Sequence, residues 1–154
     1  MQGRWTTAAP GEPLDFYSRC EYVPYLLSFG SYTEVCTDRN YVSQLDYKAK
    51  HYTMLTHHST QRDVFAYDNE EGLCAKLCKV KSKVPDVRFG IAVYDVDYDD
   101  FENECPLLNT FGSHSRLKAL RKIVDFFKTL TSYEFDEASC TSVVPTMVQE
   151  NDAP

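Results

Sequence analysis

The stretch VRFGIAVYDVDYDDF, residues 87 to 101, decides how this chain is read. Its first half, Val87 to Tyr94, is rich in β-branched and aromatic residues and reads as a strand buried on both faces. Its second half carries Asp95, Asp97, Asp99 and Asp100. Buried parallel strands present ligands and catalytic groups at their carboxyl ends, so the acidic run stands where a site belongs. Alternation along an extended chain puts Asp95, Asp97 and Asp99 on one face. Two carboxyl groups about 5 to 9 Å apart can divide acid and base work across a glycosidic bond, a distance that residues two apart in a strand satisfy. The competing reading is structural: Asp99 or Asp100 caps a short helix over PLLNTF, and the other carboxylates are solvated. A calcium site is weakened by the absence of a glycine-bearing calcium loop.

Working outward, VFAY (64 to 67) is a short β-prone run closed by Asp68 and Asn69, both good helix N-caps. The spacing predicts a helix over EEGLCAKLCKVKSK, with Glu70 and Glu71 in its first turn, Lys79, Lys81 and Lys83 toward its end, and Leu73, Cys74, Leu77 and Cys78 as its buried stripe. Pro85 ends it. Strand, helix and buried strand in succession predict a βαβ unit. Farther on, SRLKALRKIVDFFKTL predicts an amphipathic helix with Leu117, Leu120, Ile123, Val124, Phe127 and Leu130 on one face and Ser113 or Ser115 as cap. Residues 1–13 read as a disordered leader and 136–154 as a disordered tail, with an additional amphipathic helix inside 113–135. His51, His57 and His58 lie in a polar stretch without the spacing of a ligand set.

The chain has 154 residues, 43% of them apolar and 14% aromatic, enough for one domain with a core. A net charge of −7 argues against a nucleic-acid partner, which needs a Lys/Arg stripe. No apolar run is long enough to cross a bilayer, and MQGRWTTAAPGEP lacks the apolar core of a signal peptide. Six cysteines, Cys20, Cys36, Cys74, Cys78, Cys105 and Cys140, nonetheless suit a disulfide-bonded secreted protein. The two cues are reconciled if the chain is a mature or truncated piece of a secreted protein. Cys74 and Cys78 are four apart with no second close Cys/His pair, so neither metal nor cofactor is expected.

GIAVYDVDYDDF followed by ECPLLNTF resembles the last barrel strand and closing helix of glycoside hydrolase family 18, the chitinases and chitinase-like lectins. FYSRC (16 to 20) and VFAYDNEE (64 to 71) are similar to two segments of that family's small α+β insertion, in the same order. The resemblance implies an α/β fold: residues 14–112 as the C-terminal part of a TIM (β/α)8 barrel with part of its insertion, the barrel incomplete. It implies a disulfide between Cys20 and Cys105, and leaves the pairing of the other four cysteines open. It implies saccharide contact through Tyr94, which stands where the family has its floor tryptophan, together with Tyr17 and Asp97. Ser18 replaces a glutamate of the family pattern. The family's catalytic signature, Asp-x-x-Asp-x-Asp-x-Glu, lies upstream of any segment matched here. Asp97, Asp100, Glu102 and Glu104 imitate it only by coincidence, with Glu in place of its third Asp.

The resemblance therefore implies a catalytically inactive chitinase-like protein or fragment, with chitin or N-acetylglucosamine oligomers as its ligands. One alternative is a fragment of a longer active chitinase; another is a secreted cysteine-rich protein-interaction module. No membrane partner is expected. An uncovered barrel strand would also expose edges that invite self-association.

Overall fold

The structure, a computed structural model, describes residues 3–14, 18–21, 29–31, 33–45, 53–130 and 134–145. Its sheet is antiparallel throughout. Strand β1 (Gly3–Ala8) pairs with β2 (Cys20–Glu21) and β3 (Phe29–Gly30) along one edge; β4 (Tyr41–Leu45), β5 (Met54–His58) and β6 (Asp63–Tyr67) complete the order β2-β1-β6-β5-β4. The register sets Trp5 beside Phe65, Met54 beside Tyr67 and Leu55 beside Ala66. Side chains alternate across β5 and β6. Met54, Phe65 and Tyr67 therefore pack with Val35 of the one-turn helix α1 (Thr33–Cys36) on one face. Leu55 and Val64 pack with Ala8 on the other.

Helix α2 (Glu70–Lys83) starts where expected: the Asn69 side chain accepts from Gly72 N–H, and acidic and basic residues occupy the ends that suit the helix dipole. Helix α3 (Ser115–Thr129) follows the predicted span, with His114 rather than a serine as its cap residue. Its buried side is rotated toward Arg116, Ala119, Leu120 and Ile123, while Leu117 and Val124 are only half-buried. Helices α2 and α3 and the short α4 (Glu137–Thr141) enclose a second core of Cys74, Cys78, Ala119, Ile123, Cys140 and Val144.

These observations overturn the incomplete TIM barrel. Both edges of β6 are taken, by β1 and β5, so no strand returning from α2 can lie beside it in parallel. Helix α2 packs on α3 and α4 instead of covering the sheet. Val87 to Tyr94 forms no strand, and among the described residues Arg88 to Val93 take part in no backbone–backbone hydrogen bond. Val87, Phe89 and Tyr94 are exposed, not buried. The segment is held at its N-terminal end: Lys81 Nζ donates to the carbonyls of Pro85 and Val87, and the Phe89 ring meets that of Phe127 edge-on at 5.8 Å. Strand propensity measures fit to a half-buried pleated surface, and no sheet edge is offered here.

Two domain limits also change. The expected leader contains β1, an inner strand of the sheet. The expected tail contains α4, capped by Asp136 accepting from Ser139 N–H. PLLNTF is a set of turns closed by Leu108 and Asn109 N–H donating to the Cys105 carbonyl, with no helix formed.

Candidate functional site

The four aspartates divide into two pairs. Asp95 and Asp97 are exposed on the 3-10 turn Val96–Tyr98 and its left-handed cap, whereas Asp99 and Asp100 are each 2% exposed. Asp99 Oδ1 accepts from Arg116 Nε at 2.9 Å and its Oδ2 from Leu117 N–H at 3.3 Å; Arg116 Nη2 donates to the Tyr98 carbonyl at 2.6 Å. Asp100 accepts from the N–H groups of Glu104 and Cys105 at 2.9 and 2.8 Å and from Asn109 Nδ2 at 2.7 Å. Burial pushes the Asp100 carboxyl up, but these donors outweigh it and hold the group below the usual aspartate value. Both buried carboxylates are engaged by donors of the chain itself. Asp99 locks α3 onto the 3-10 turn, and Asp100 organises the turn that delivers Cys105.

Beside this lock, Glu70 is 3% exposed, with its Oε1 atom unpartnered. Burial raises its pKa against the opposing hydrogen bond from Ser115. Ser115 Oγ in turn accepts from Phe111 N–H at 2.8 Å. The start of α2 is thereby tied to the start of α3.

Cys105 pairs with Cys36, and Cys78 with Cys140. The expected Cys20–Cys105 bond is thus corrected: Asp100 holds the Cys105 turn over α1, where the Cys36 Cα lies 6.0 Å away, within disulfide reach. Cys20 stands on β2, at the edge of the sheet that β1 forms.

The Cys36–Cys105 bond forms part of the wall of a groove of about 390 Å³. Val35, Tyr41, Pro106, Leu107 and Leu108 supply apolar surface, and Asp38, Arg39 and Glu104 supply charge. Tyr41 is half-buried; desolvation first, then the charges of Asp63, Asp38 and Glu34, raise its phenol pKa. Its ring meets His58 edge-on at 5.0 Å. His58 looks at first like half of a catalytic dyad, because its Nε2 lies 4.0 Å from Asp38 Oδ2. Its Nδ1, however, accepts from Thr60 and Gln61 N–H at 3.2 and 3.1 Å, which assigns the ring proton to Nε2. The lone pair a general base needs is spent on the β5–β6 turn. Leu107 is 93% exposed at the groove rim.

Of the saccharide residues expected from sequence, Tyr94 is 77% exposed and Asp97 is exposed three positions later, while Tyr17 lies outside the described residues. Neither Tyr94 nor Asp97 lines the groove. The groove itself was missed by sequence reasoning, since Leu107 comes to Asp38 and Tyr41 only through the Cys36–Cys105 bond. Among the described residues no group of three or more His, Cys, Asp or Glu side chains could hold a metal ion, and no helix is long and apolar enough to cross a membrane. No protein-family model and no curated protein sequence matches the chain. The two disulfides fit an oxidising, extracellular setting.

Proposed function

We propose that this chain is a secreted, disulfide-stapled interaction module that grips a protein partner in the groove beside Cys36–Cys105. The observation that carries this reading is the groove's make-up: an apolar floor of Val35, Tyr41 and Leu108, an exposed apolar rim residue in Leu107, and two carboxylates, Asp38 and Glu104, against one guanidinium, Arg39. Its volume lies in the range of sites that enclose one or two side chains or a small ligand. An aromatic at the floor and an aliphatic at the rim supply the buried anchors on which protein recognition concentrates. The carboxylate excess, on a chain of net charge −7, favours a partner segment that carries an apolar side chain next to Lys or Arg.

Selection of a random displayed-peptide library on the folded, disulfide-intact protein tests this. Enrichment of apolar-plus-basic peptides is expected, and Tyr41→Ala or Leu107→Asp should weaken their binding about tenfold or more. Failure to enrich any sequence class, or enrichment that both substitutions leave untouched, overturns the reading. The saccharide expectation retains one supporting observation, the exposed ring of Tyr94, which could stack on a pyranose face. Calorimetry with N-acetylglucosamine oligomers separates the two: heat abolished by Tyr94→Ala would favour the saccharide reading over the groove.

A further inference from the structure

Three sulfurs meet in the helical core. Cys74 and Cys78 stand one turn apart on α2, and Cys140 of α4 is bonded to Cys78. The Cys74 thiol is 1% exposed, 3.9 Å from Cys78 Sγ, and donates to the Cys140 and Thr141 carbonyls at 3.5 and 3.7 Å. Thus a buried thiol lies beside one sulfur of a disulfide and is hydrogen-bonded to the backbone of the residue that carries the other, on the helix face that α4 covers.

We propose that Cys140 has two native partners, Cys78 and Cys74, and that the staple between α2 and α4 interchanges between them by internal thiol–disulfide exchange. In the step, the Cys74 thiol loses its proton and its thiolate attacks Cys140 Sγ. A Cys74–Cys140 bond forms, the Cys78–Cys140 bond breaks, and Cys78 leaves as a thiolate that takes up a proton. One disulfide and one thiol exist before and after, so no oxidant or reductant is needed.

Attack on the other sulfur is disfavoured by the helix. A Cys74–Cys78 bond would join positions i and i+4, whose Cβ atoms stand about 5–6 Å apart on an intact helix, against roughly 3.5–4.5 Å in a disulfide. Cys140 comes from a separate element of five helical residues and is free of that restraint. Moving it from Cys78 to Cys74 shifts its attachment by four residues, about 6 Å along α2. Burial, then the Glu71 charge, keeps the Cys74 thiol protonated, so exchange requires transient opening of the α2–α4 contact. The device makes the position of α4 adjustable while the Cys36–Cys105 groove stays fixed.

The sequence makes the two linkages separable, because Lys76 lies between Cys74 and Cys78 and trypsin cleaves there. Denaturation in acid with excess alkylating reagent, followed by digestion without reductant, should yield the alkylated Cys74 peptide with Cys78–Cys140 linked, and a second population with Cys78 alkylated and Cys74–Cys140 linked. Cys74→Ser should reduce alkylation of Cys78 at least tenfold. In Cys78→Ser, Cys140 should be found linked to Cys74. Alkylation confined to Cys74 in the wild type overturns the proposal. Cys74 and Cys140 both recovered as free thiols in Cys78→Ser, with Cys36–Cys105 intact as the sign of a folded chain, also overturns it.

Discussion

Replacing Asp99 by alanine tests whether the acidic run serves the fold. The substitution leaves the Arg116 guanidinium, whose side chain is 3% exposed, without the carboxylate that faces Nε, and leaves Leu117 N–H without its acceptor. Removing one partner of a buried ion pair typically costs about 3–5 kcal/mol, because the remaining charge is stranded away from water. For a chain of this size each kcal/mol lowers Tm by about 2–4 °C, so a fall of roughly 6–20 °C is expected. Urea denaturation followed by far-ultraviolet circular dichroism should show a lower midpoint with an unchanged slope. The paired replacement Asp99→Leu with Arg116→Met should recover most of the loss, since two apolar groups need no counter-charge. Asp97→Ala, on the exposed turn, should leave the midpoint where it was. If Asp99→Ala were neutral or stabilising, as removal of a functional carboxylate often is, the structural assignment of this residue would fall.

Glu70 carries a raised pKa, so its contribution to stability is fully present below the ordinary glutamate value near 4.5 and is lost as pH rises through the folded-state value. Glu70→Gln should therefore raise Tm at pH 7.5 and leave it nearly unchanged at pH 4, as scanning calorimetry at the two pH values would reveal. Asp100 has the opposite sign: its depressed pKa contributes stability above the ordinary aspartate value, lost as acid protonates it in the folded state. Asp100→Asn should cost about 2–3 kcal/mol at pH 7, and the gap to wild type should narrow in strong acid, read by urea titration across pH. The Cys36–Cys105 bond spans 69 positions, for which the chain-entropy relation gives about 4 kcal/mol. The double replacement by serine should lower the urea midpoint accordingly and abolish peptide selection on the groove.

Local elements were legible where local chemistry decides them. The Asn69 cap, the acidic and basic ends of α2 and the span of α3 rest on interactions within a few residues, and each is found where the pattern put it, whereas the buried face of α3, which packing decides, is rotated from the expected one. The structural reading of the acidic run was equally accessible: Asp100 holds the amides of Glu104 and Cys105 at the start of PLLNTF, although that segment folds into successive turns and not into a helix. The failures were long-range. Val87 to Tyr94 has the composition of a buried strand, but burial requires a neighbour with an open edge, and β6 offers none once β1 has inserted beside it. That insertion comes from GRWTTA, whose strand-favouring Trp5, Thr6 and Thr7 form a run too short to stand out among the surrounding glycine, proline and small polar residues.

The same logic explains why the candidate groove could not be read from residues. Leu107 lies dozens of positions from Asp38 and Tyr41; they meet because Asp100 shapes a turn that brings Cys105 to Cys36. The carboxylate that invited a catalytic reading thus acts one step removed from the surface available to a partner. This makes a separable expectation: Asp100→Asn should weaken binding of a groove-selected peptide through displacement of Leu107 and Leu108, and tightening the turn by another route should restore it. A peptide that bound Asp100→Asn and wild type equally, in protein shown to be folded, would mean that the groove owes nothing to the acidic turn.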